Sequence, residues 1–507
     1  MKLVKRRLFG RFAAGKTLFF ALVALFHVGC DSDGGKTGPL DGGPDQLVVA
    51  GDASNQQGDA KNQQSDTISP APQTAWVKGF GATSFVDKDK QYGESVAVDG
   101  AGNIVITGSF VGTVDFGTGP LKGVGRENLF VASYDASGKA RWVKRFGSGV
   151  GKGVAVDGDG NVVVTGQISG KVDFGTGPLD STMGRTFLAS FDSSGKIRWA
   201  KNFGCTGSCT GVSGQGWDVA TDGAGNIVIT GTFFGSADFG NGSLASAGAS
   251  DIFLASYDSA GKPRWSKRFG GSSRDFGASV AMDKTGNSVV TGWFLGKADF
   301  GTGPVKSAGS DDVFLASYDS SGKARWSKRF GAKGDDRGAA VAIDGAGNVV
   351  VTGSFQDSVD FGGEPLFAAQ GTWDVFVATY DSSGKARWSK RFAGRGADGN
   401  YRWWSVAMDR VGNIVLTGAI AGRVDLGTGQ MISAGGADIL VASYNPAGKV
   451  RWAKSFGGIS RDQGWDVAVG SAGSILVIGR FGATVDFGTA TVTGKGIGDF
   501  FLLKMKP

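Results

Sequence analysis

One pattern recurs seven times along this chain, and no other feature narrows the fold so much. A Val-Asp-Phe-Gly-type tetrapeptide carries Asp115, Asp173, Asp238, Asp299, Asp360, Asp425 and Asp486, at intervals of 58 to 65 residues. A second marker, of the type Arg-Trp-x-Lys, carries Trp142, Trp199, Trp265, Trp326, Trp388 and Trp452. Its seventh copy, Trp76, stands ahead of the first tetrapeptide in Ala75-Trp-Val-Lys78. A unit of about sixty residues cannot bury an apolar face alone, so such units stack on one another in an open solenoid or a closed ring.

Each unit holds four runs rich in β-branched and aromatic residues between turn signals. Around the fifth unit they are Asp312–Tyr318, Ala324–Phe330, Ala340–Ile343 and Asn348–Gly353. Two turns join them, Asp-Gly-Ala-Gly-Asn (Asp344 to Asn348) and Asp-Ser-Ser-Gly-Lys (Asp319 to Lys323). The 89 glycines supply the positive φ angles that such turns demand. The fold class expected is all-β: a seven-bladed β-propeller of four-stranded antiparallel blades over residues 75–507, with strands a to d running outward from the hub. The two ends are offset by one strand. The first copy opens on the d-type strand around Trp76, and the last stops after a c-type strand, Asp499–Leu503. The stray d strand is therefore expected to complete the last blade and close the ring, which leaves neither terminus with an open edge.

The units resemble the bacterial SBBP repeat, a seven-bladed propeller repeat, through Gly-Asn-Val-Val-Val-Thr-Gly (347–353), Asp-Val-Phe-Leu-Ala-Ser-Tyr-Asp (312–319) and Gly-Asp-Asp-Arg-Gly-Ala-Ala-Val-Ala (334–342). The resemblance covers residues 75–504 and implies an exported propeller. It supplies no catalytic residues. The Trp-bearing d strand is also similar to propeller repeats of quinoprotein dehydrogenases and outer-membrane assembly lipoproteins.

Residues 1–29 read as a signal peptide, with a basic start and an apolar run from Leu18 to Phe26 too short to span a bilayer. Cys30 after Val28-Gly29 resembles the lipidated cysteine of bacterial lipoproteins, and Lys5-Arg6-Arg7-Leu8-Phe9 resembles a twin-arginine export signal. Residues 30–74, rich in Asp, Gly, Gln, Ser and Pro, read as a disordered tether. The expected location is the bacterial cell envelope, with a lipid anchor holding a monomeric propeller to the outer membrane. Gly10 to Thr17 matches the phosphate-loop pattern, but it lies inside the leader, without a strand before it or a folded helix behind it.

The formal charge of +7 is a leader effect. Lys2, Lys5, Arg6, Arg7, Arg11 and Lys16 precede Cys30 with no acid among them, so the remainder is nearly neutral. That argues against nucleic acid as a partner. The single histidine, His27, is also in the leader. Histidine triads, general bases and metal ligands are thereby excluded from the rest of the chain. No cofactor or metal is expected. Asp157-Gly-Asp159-Gly-Asn161 has alternating oxygens, but it lacks the sixth-place Gly and distal Glu of a calcium loop and reads as a turn. Cys205 and Cys209 read as a small-loop disulfide, with a redox-active pair as the other possibility.

Within this copy-like background one position diverges. Just ahead of the a-strand core the seven units carry Glu94, Lys152, Trp217, Ala278, Ala339, Trp404 and Trp465, and Tyr401 and Trp403 add aromatic surface beside the sixth. These residues are expected to ring the mouth of the central channel, with Asp275, Asp336 and Asp462 nearby. Two readings stay open. The rim binds a glycan, peptide or protein partner by stacking, or the tryptophans plug the channel and pack between blades. The function expected is a non-enzymatic binding or scaffold module, with a subunit of an outer-membrane assembly machine as one alternative. A carboxylate-dependent glycan-active enzyme is the other, and it requires two acids with raised pKa facing across the channel.

Overall fold

The computed structural model describes residues 68–82, 91–125, 127–205, 214–369, 371–392, 404–495 and 498–507, all within one compact unit, Asp66–Pro507. The signal, Cys30 and nearly all of the tether lie outside the described residues, as do Cys209, Tyr401 and Trp403. The side chain of Cys205 is outside them too.

The chain is an all-β propeller of four-stranded antiparallel sheets. In the fourth unit Asp275–Met282, Ser288–Phe294, Asp312–Tyr318 and Ala324–Phe330 pair in that order as strands a to d. The arrangement recurs along the chain. In the first two units the d strand of one and the a strand of the next are a single run, Ala140–Val156, which joins their sheets. Strands b and c are buried along nearly all of their length, completely so in Ile104–Phe110 and Asn128–Tyr134. Sheets packed on both faces demand such unbroken apolar runs rather than alternation. The d strands, such as Ala324–Phe330, keep partly exposed Arg and Lys residues on the outer edge, where unpaired backbone is shielded from other chains.

Both sequence markers have structural jobs. In the tetrapeptide, Asp115 Oδ1 accepts from the backbone of Gly117 and Gly119, turning a short ribbon of Thr113–Asp115 and Pro120–Lys122. The next residue, Phe116, offers its carbonyl to the buried hydroxyl of Tyr134 on strand c at 3.1 Å. The d-strand tryptophans fasten neighbouring sheets. Trp142 Nε1 donates to Ser193 O at 3.1 Å, Trp199 to Ser259 O at 3.1 Å and Trp265 to Ser320 O at 3.1 Å. Each of these rings lies over a turn glycine of the next sheet. A Cβ on Gly322 would meet the Trp265 ring at 2.7 Å, so the Asp-Ser-Ser-Gly-Lys turn is also a docking seat.

Thr74–Phe80 pairs antiparallel with Asp499–Met505, placing Trp76 opposite Lys504 and Phe80 opposite Phe500. That sheet continues inward through Ile475–Phe481 to Gln463–Val469. Trp76 Nε1 donates to Ala136 O at 3.3 Å, the same fastening the other tryptophans make, here from the last sheet to the first. One apolar core spans the same boundary, with Phe500 against Phe80 at 4.7 Å and against Phe130 at 5.7 Å.

Candidate functional site

The innermost strands carry a repeated irregularity that sequence reading did not reveal. Ladder pairing skips one residue between Gly93 and Ser95, Gly151 and Gly153, Gly216 and Asp218, Gly277 and Ser279, Gly338 and Ala340, and Gly464 and Asp466. The skipped residue is the divergent one: Glu94, Lys152, Trp217, Ala278, Ala339 and Trp465. A β-bulge bends the strand and re-aims its extra side chain. The bulge brings a carbonyl hard against strand b, where only glycine fits. A Cβ on Gly292 would lie 1.9 Å from Phe276 O, and one on Gly108 would lie 1.8 Å from Tyr92 O. The Gly of each Thr-Gly pair is the sequence signal for the bulge.

All seven divergent residues, one from each unit, line a single cavity of about 530 Å³. That size suits a small ligand or one segment of a larger one. Contacts run around its wall. Glu94 Oε1 and Lys152 Nζ form a 2.7 Å ion pair with little solvent access, and Lys152 Nζ also lies 5.2 Å from the ring centre of Trp217. Trp217 meets Phe276 at 5.0 Å, and Phe276 stacks on Trp293 at 4.0 Å. Arg337 lies 5.5 Å from the Trp293 ring, its Nε and Nη2 held by Asp311 at 2.9 and 2.7 Å. Trp404 lies over Gly418, where a Cβ would overlap its ring. Trp465 is only 6% exposed and stacks on Tyr92 at 5.7 Å. The two expectations for the tryptophans therefore divide: Trp465 is chiefly a packing residue, whereas Trp217 and Trp404 are partly open.

The residue after the bulge faces the same cavity in five of the six: Ser95, Asp218, Ser279, Ala340 and Asp466. Asp466 Oδ2 accepts from Ser95 Oγ and Val96 N, both at 2.9 Å, and its Oδ1 accepts from Ser405 Oγ at 2.7 Å. Asp218 Oδ2 accepts from Ser279 Oγ at 2.8 Å and Val280 N at 2.9 Å. Burial pushes the Asp218 carboxyl up to about 7, against these hydrogen bonds, and the charge of Asp466 adds to the rise. Burial also raises the Asp466 carboxyl.

Asp275, Asp336 and Asp462 do not join the cavity wall. They are buried where strand a begins, and each accepts two backbone N–H groups, as Asp275 does from Gly271 at 2.8 Å and Leu295 at 3.1 Å. They lie close to the rim along the chain, as the sequence shows, without lining the cavity. In the calcium-like turn, Asp157 Oδ1 accepts from Asp159 N and Asn161 N, and its Oδ2 accepts from Asn161 Nδ2, so a turn accounts for its oxygens. Among the described residues no group of three or more His, Cys, Asp or Glu side chains is arranged to hold a metal.

No family model matches the chain. The regulatory protein FlaEY of Caulobacter vibrioides is 25% identical over 176 residues, 34% of this chain and 18% of that protein. An uncharacterised WD repeat-containing protein of Acanthamoeba polyphaga mimivirus is 26% identical over 212 residues, 34% of this chain and 15% of that protein. The chain thus spans less than a fifth of the length of either curated relative. Among solved structures, the Dos1 propeller shares 10% identity at a TM-score of 0.40, covering 85% of this chain and 95% of that one. The WD40 β-propeller domain of Doa1 shares 10% at 0.41, covering 84% and 97%. The WD40 domain of Neurospora crassa Pan2 shares 10% at 0.41, covering 86% and 98%.

Proposed function

We propose that the chain is a non-enzymatic binding module, a seven-bladed propeller closed by Thr74–Phe80, and that its ligand is an uncharged glycan seated in the cavity of the bulged residues. The observation that carries this reading is the divergence of one position among otherwise copied units, bulged at six of its seven occurrences among the described residues, with all seven versions on one wall. A scaffold repeated for structure alone has no use for Glu, Lys, Trp, Ala, Ala, Trp and Trp at equivalent places. Trp217 and Trp404 offer aromatic faces on which a sugar ring can stack. The cations of the wall are already matched, Lys152 by Glu94 and Arg337 by Asp311 and Asp335. They provide polar edges without calling for a charged ligand.

Asp218 and Asp466 meet one condition of the enzyme alternative, since both carboxyls are raised. Their oxygens, however, accept hydroxyl and backbone donors from adjacent sheets, an arrangement suited to fastening sheets rather than to exchanging protons with a substrate. Residues 1–30 support, from sequence alone, a position in the bacterial envelope with Cys30 as lipid anchor, in line with the SBBP-like repeats.

Titration of the protein with neutral oligosaccharides, acidic oligosaccharides and extended peptides tests the reading. Trp217→Ala and Trp404→Ala, each with an unchanged melting profile, are expected to weaken glycan binding by about tenfold apiece. Glycan binding indifferent to both substitutions removes the proposal.

A further inference from the structure

Three sheet junctions bury two aspartates apiece: Asp251 with Asp275, Asp312 with Asp336, and Asp438 with Asp462. All six are at most 3% exposed. In each pair the first residue uses Oδ2 to accept a backbone N–H four residues back, from Ala247, Ala308 or Ala434, at 3.0 Å. Its Oδ1 is buried and, among the described residues, accepts no hydrogen bond. An orphaned buried carboxylate oxygen is costly and calls for a donor.

In two of the pairs the second aspartate comes up to the same place as that oxygen, and in the third the charge of Asp438 bears on Asp462. A Cβ on Gly331 would lie 2.7 Å from Asp336 Oδ2 and 2.8 Å from Asp312 Oδ1, so both oxygens crowd one point. At Gly270 the corresponding distances are 2.5 Å to Asp275 Oδ2 and 3.1 Å to Asp251 Oδ1. Arg329 pairs with Asp312 and Arg268 with Asp251, so in these two pairs one carboxylate is already neutralised; at the third, Ser455 stands in the arginine's place. In the two arginine-paired junctions the other carboxylate leaves a single negative charge in a buried place.

The repeats supply an internal comparison. At the first junction Asn128 stands where the first aspartate would be. Its Oδ1 accepts from Val124 N at 2.8 Å, four residues back, and its Nδ2 donates to Phe110 O at 3.3 Å. The atom equivalent to the orphaned oxygen is therefore a donor there, and the second position is Gly149, with no acid. Across the last junction Gln91 holds the second position, opposite Phe110 as Asp275 is opposite Phe294. Its side-chain amide donates to Val111 O at 3.1 Å, so the group at this place is neutral and a hydrogen-bond donor.

We infer that each of the three junctions holds one proton between its two aspartates, with Asp275, Asp336 and Asp462 as donors and Oδ1 of Asp251, Asp312 and Asp438 as acceptors. The proton satisfies the orphaned oxygen, and at the two arginine-paired junctions it cancels the leftover charge as well. The carboxyls lie on the side this requires: burial raises Asp275 to about 6 and Asp336 to about 7, and it raises Asp462 as well. The surrounding charges are few. Asp251 and Asp311 face Asp275, while Asp312 and Asp335 face Asp336. Arg337 and Arg274 sit on Asp311, and Arg480 faces Asp462.

Protons bound by the folded chain at raised pKa stabilise it fully below about pH 4, and that stability is lost as pH rises through about 6 to 7. The parent protein is expected to lose several degrees of melting temperature between about pH 5 and about pH 8. The triple variant Asp275→Asn, Asp336→Asn, Asp462→Asn carries permanent donors. Each Asn gives up one of the two backbone N–H bonds its aspartate accepts, so the readout is the slope and not the absolute melting point: the variant should lose much of the parent's slope. A triple variant that keeps the parent's slope overturns the inference. If the triple variant does not fold, Asp336→Asn alone, read by infrared spectroscopy, decides: the parent must show a protonated-carboxyl C=O band at neutral pH that weakens in the variant, and its absence overturns the inference. Stabilisation by added calcium in the parent but not in Asp336→Asn overturns it too, because the pair would then hold a metal.

Discussion

Asp466 accepts a 2.9 Å hydrogen bond from the hydroxyl of Ser95, a residue 371 positions away in the chain. The same carboxylate takes Val96 N from the first unit, Ser405 Oγ from the sixth and Val467 N from its own strand. Three sheets are thus tied through one side chain at the place where the ends of the repeat array meet. Asp466→Ala leaves two backbone N–H groups without their acceptor and is expected to cost about 3 kcal/mol. Ser95→Ala, which removes one donor, is expected to cost about 1 kcal/mol. Guanidinium denaturation measures both, and equal costs would contradict the assignment.

Asp218 plays a similar part between the third and fourth sheets, with its carboxyl raised by burial to about 7. A group raised in the folded state contributes stability below about pH 4 that fades as pH climbs through its folded value. The stability profile of Asp218→Asn should fall less steeply through neutral pH, by that residue's share, while the aspartate pairs keep theirs. Denaturation midpoints across a pH series check this, and an unchanged profile contradicts it.

The bulges rest on strand-b glycines. Gly292→Ala drives a methyl toward Phe276 O, only 1.9 Å from the ideal Cβ position. A loss of about 3 kcal/mol or more is expected. Gly345→Ala in an a–b turn, where nothing lies within 4 Å, should be nearly silent. Thermal melting of the two variants side by side is the test.

Trp265 links two sheets by its ring on Gly322 and its N–H on Ser320 O. Trp265→Phe keeps much of the ring contact and loses the hydrogen bond, at about 1 kcal/mol. Trp265→Ala loses both, at about 3 kcal/mol or more. If the two cost the same, the ring carries none of the fastening.

What was legible in the sequence was whatever repeats. Strands such as Ala324–Phe330 stand out because β-branched and aromatic runs are bounded by turns, and Trp76 betrayed its pairing because it is a d-type strand out of place. The divergent rim position was visible because its neighbours hardly vary. The reason it faces the cavity was not: a bulge is a register event between two strands, and its only trace is a pair of glycines such as Gly277 and Gly292. The fastening by Trp142 was hidden because its acceptor, Ser193 O, is a backbone atom of the next sheet. The part played by Asp275, Asp336 and Asp462 was hidden for a related reason: nearness to the rim along the chain does not reveal that their oxygens accept backbone N–H groups where strand a begins. The disulfide expected between Cys205 and Cys209, and the aromatic surface of Tyr401 and Trp403, fall outside the described residues, as do the long loops before the first, third and sixth a strands.

The cavity exists only if the array closes on itself, so the pairing of Thr74–Phe80 with Asp499–Met505 bears the most weight. Hydrogen exchange on the chain with and without residues 68–80 tests it directly. With the segment present, backbone amides on both edges of Phe500–Lys504 should be protected; without it, the outer set should exchange freely while the inner set, bonded to Ile475–Phe481, persists at first. Equal protection of the outer amides in both proteins would contradict the closure and the cavity built on it.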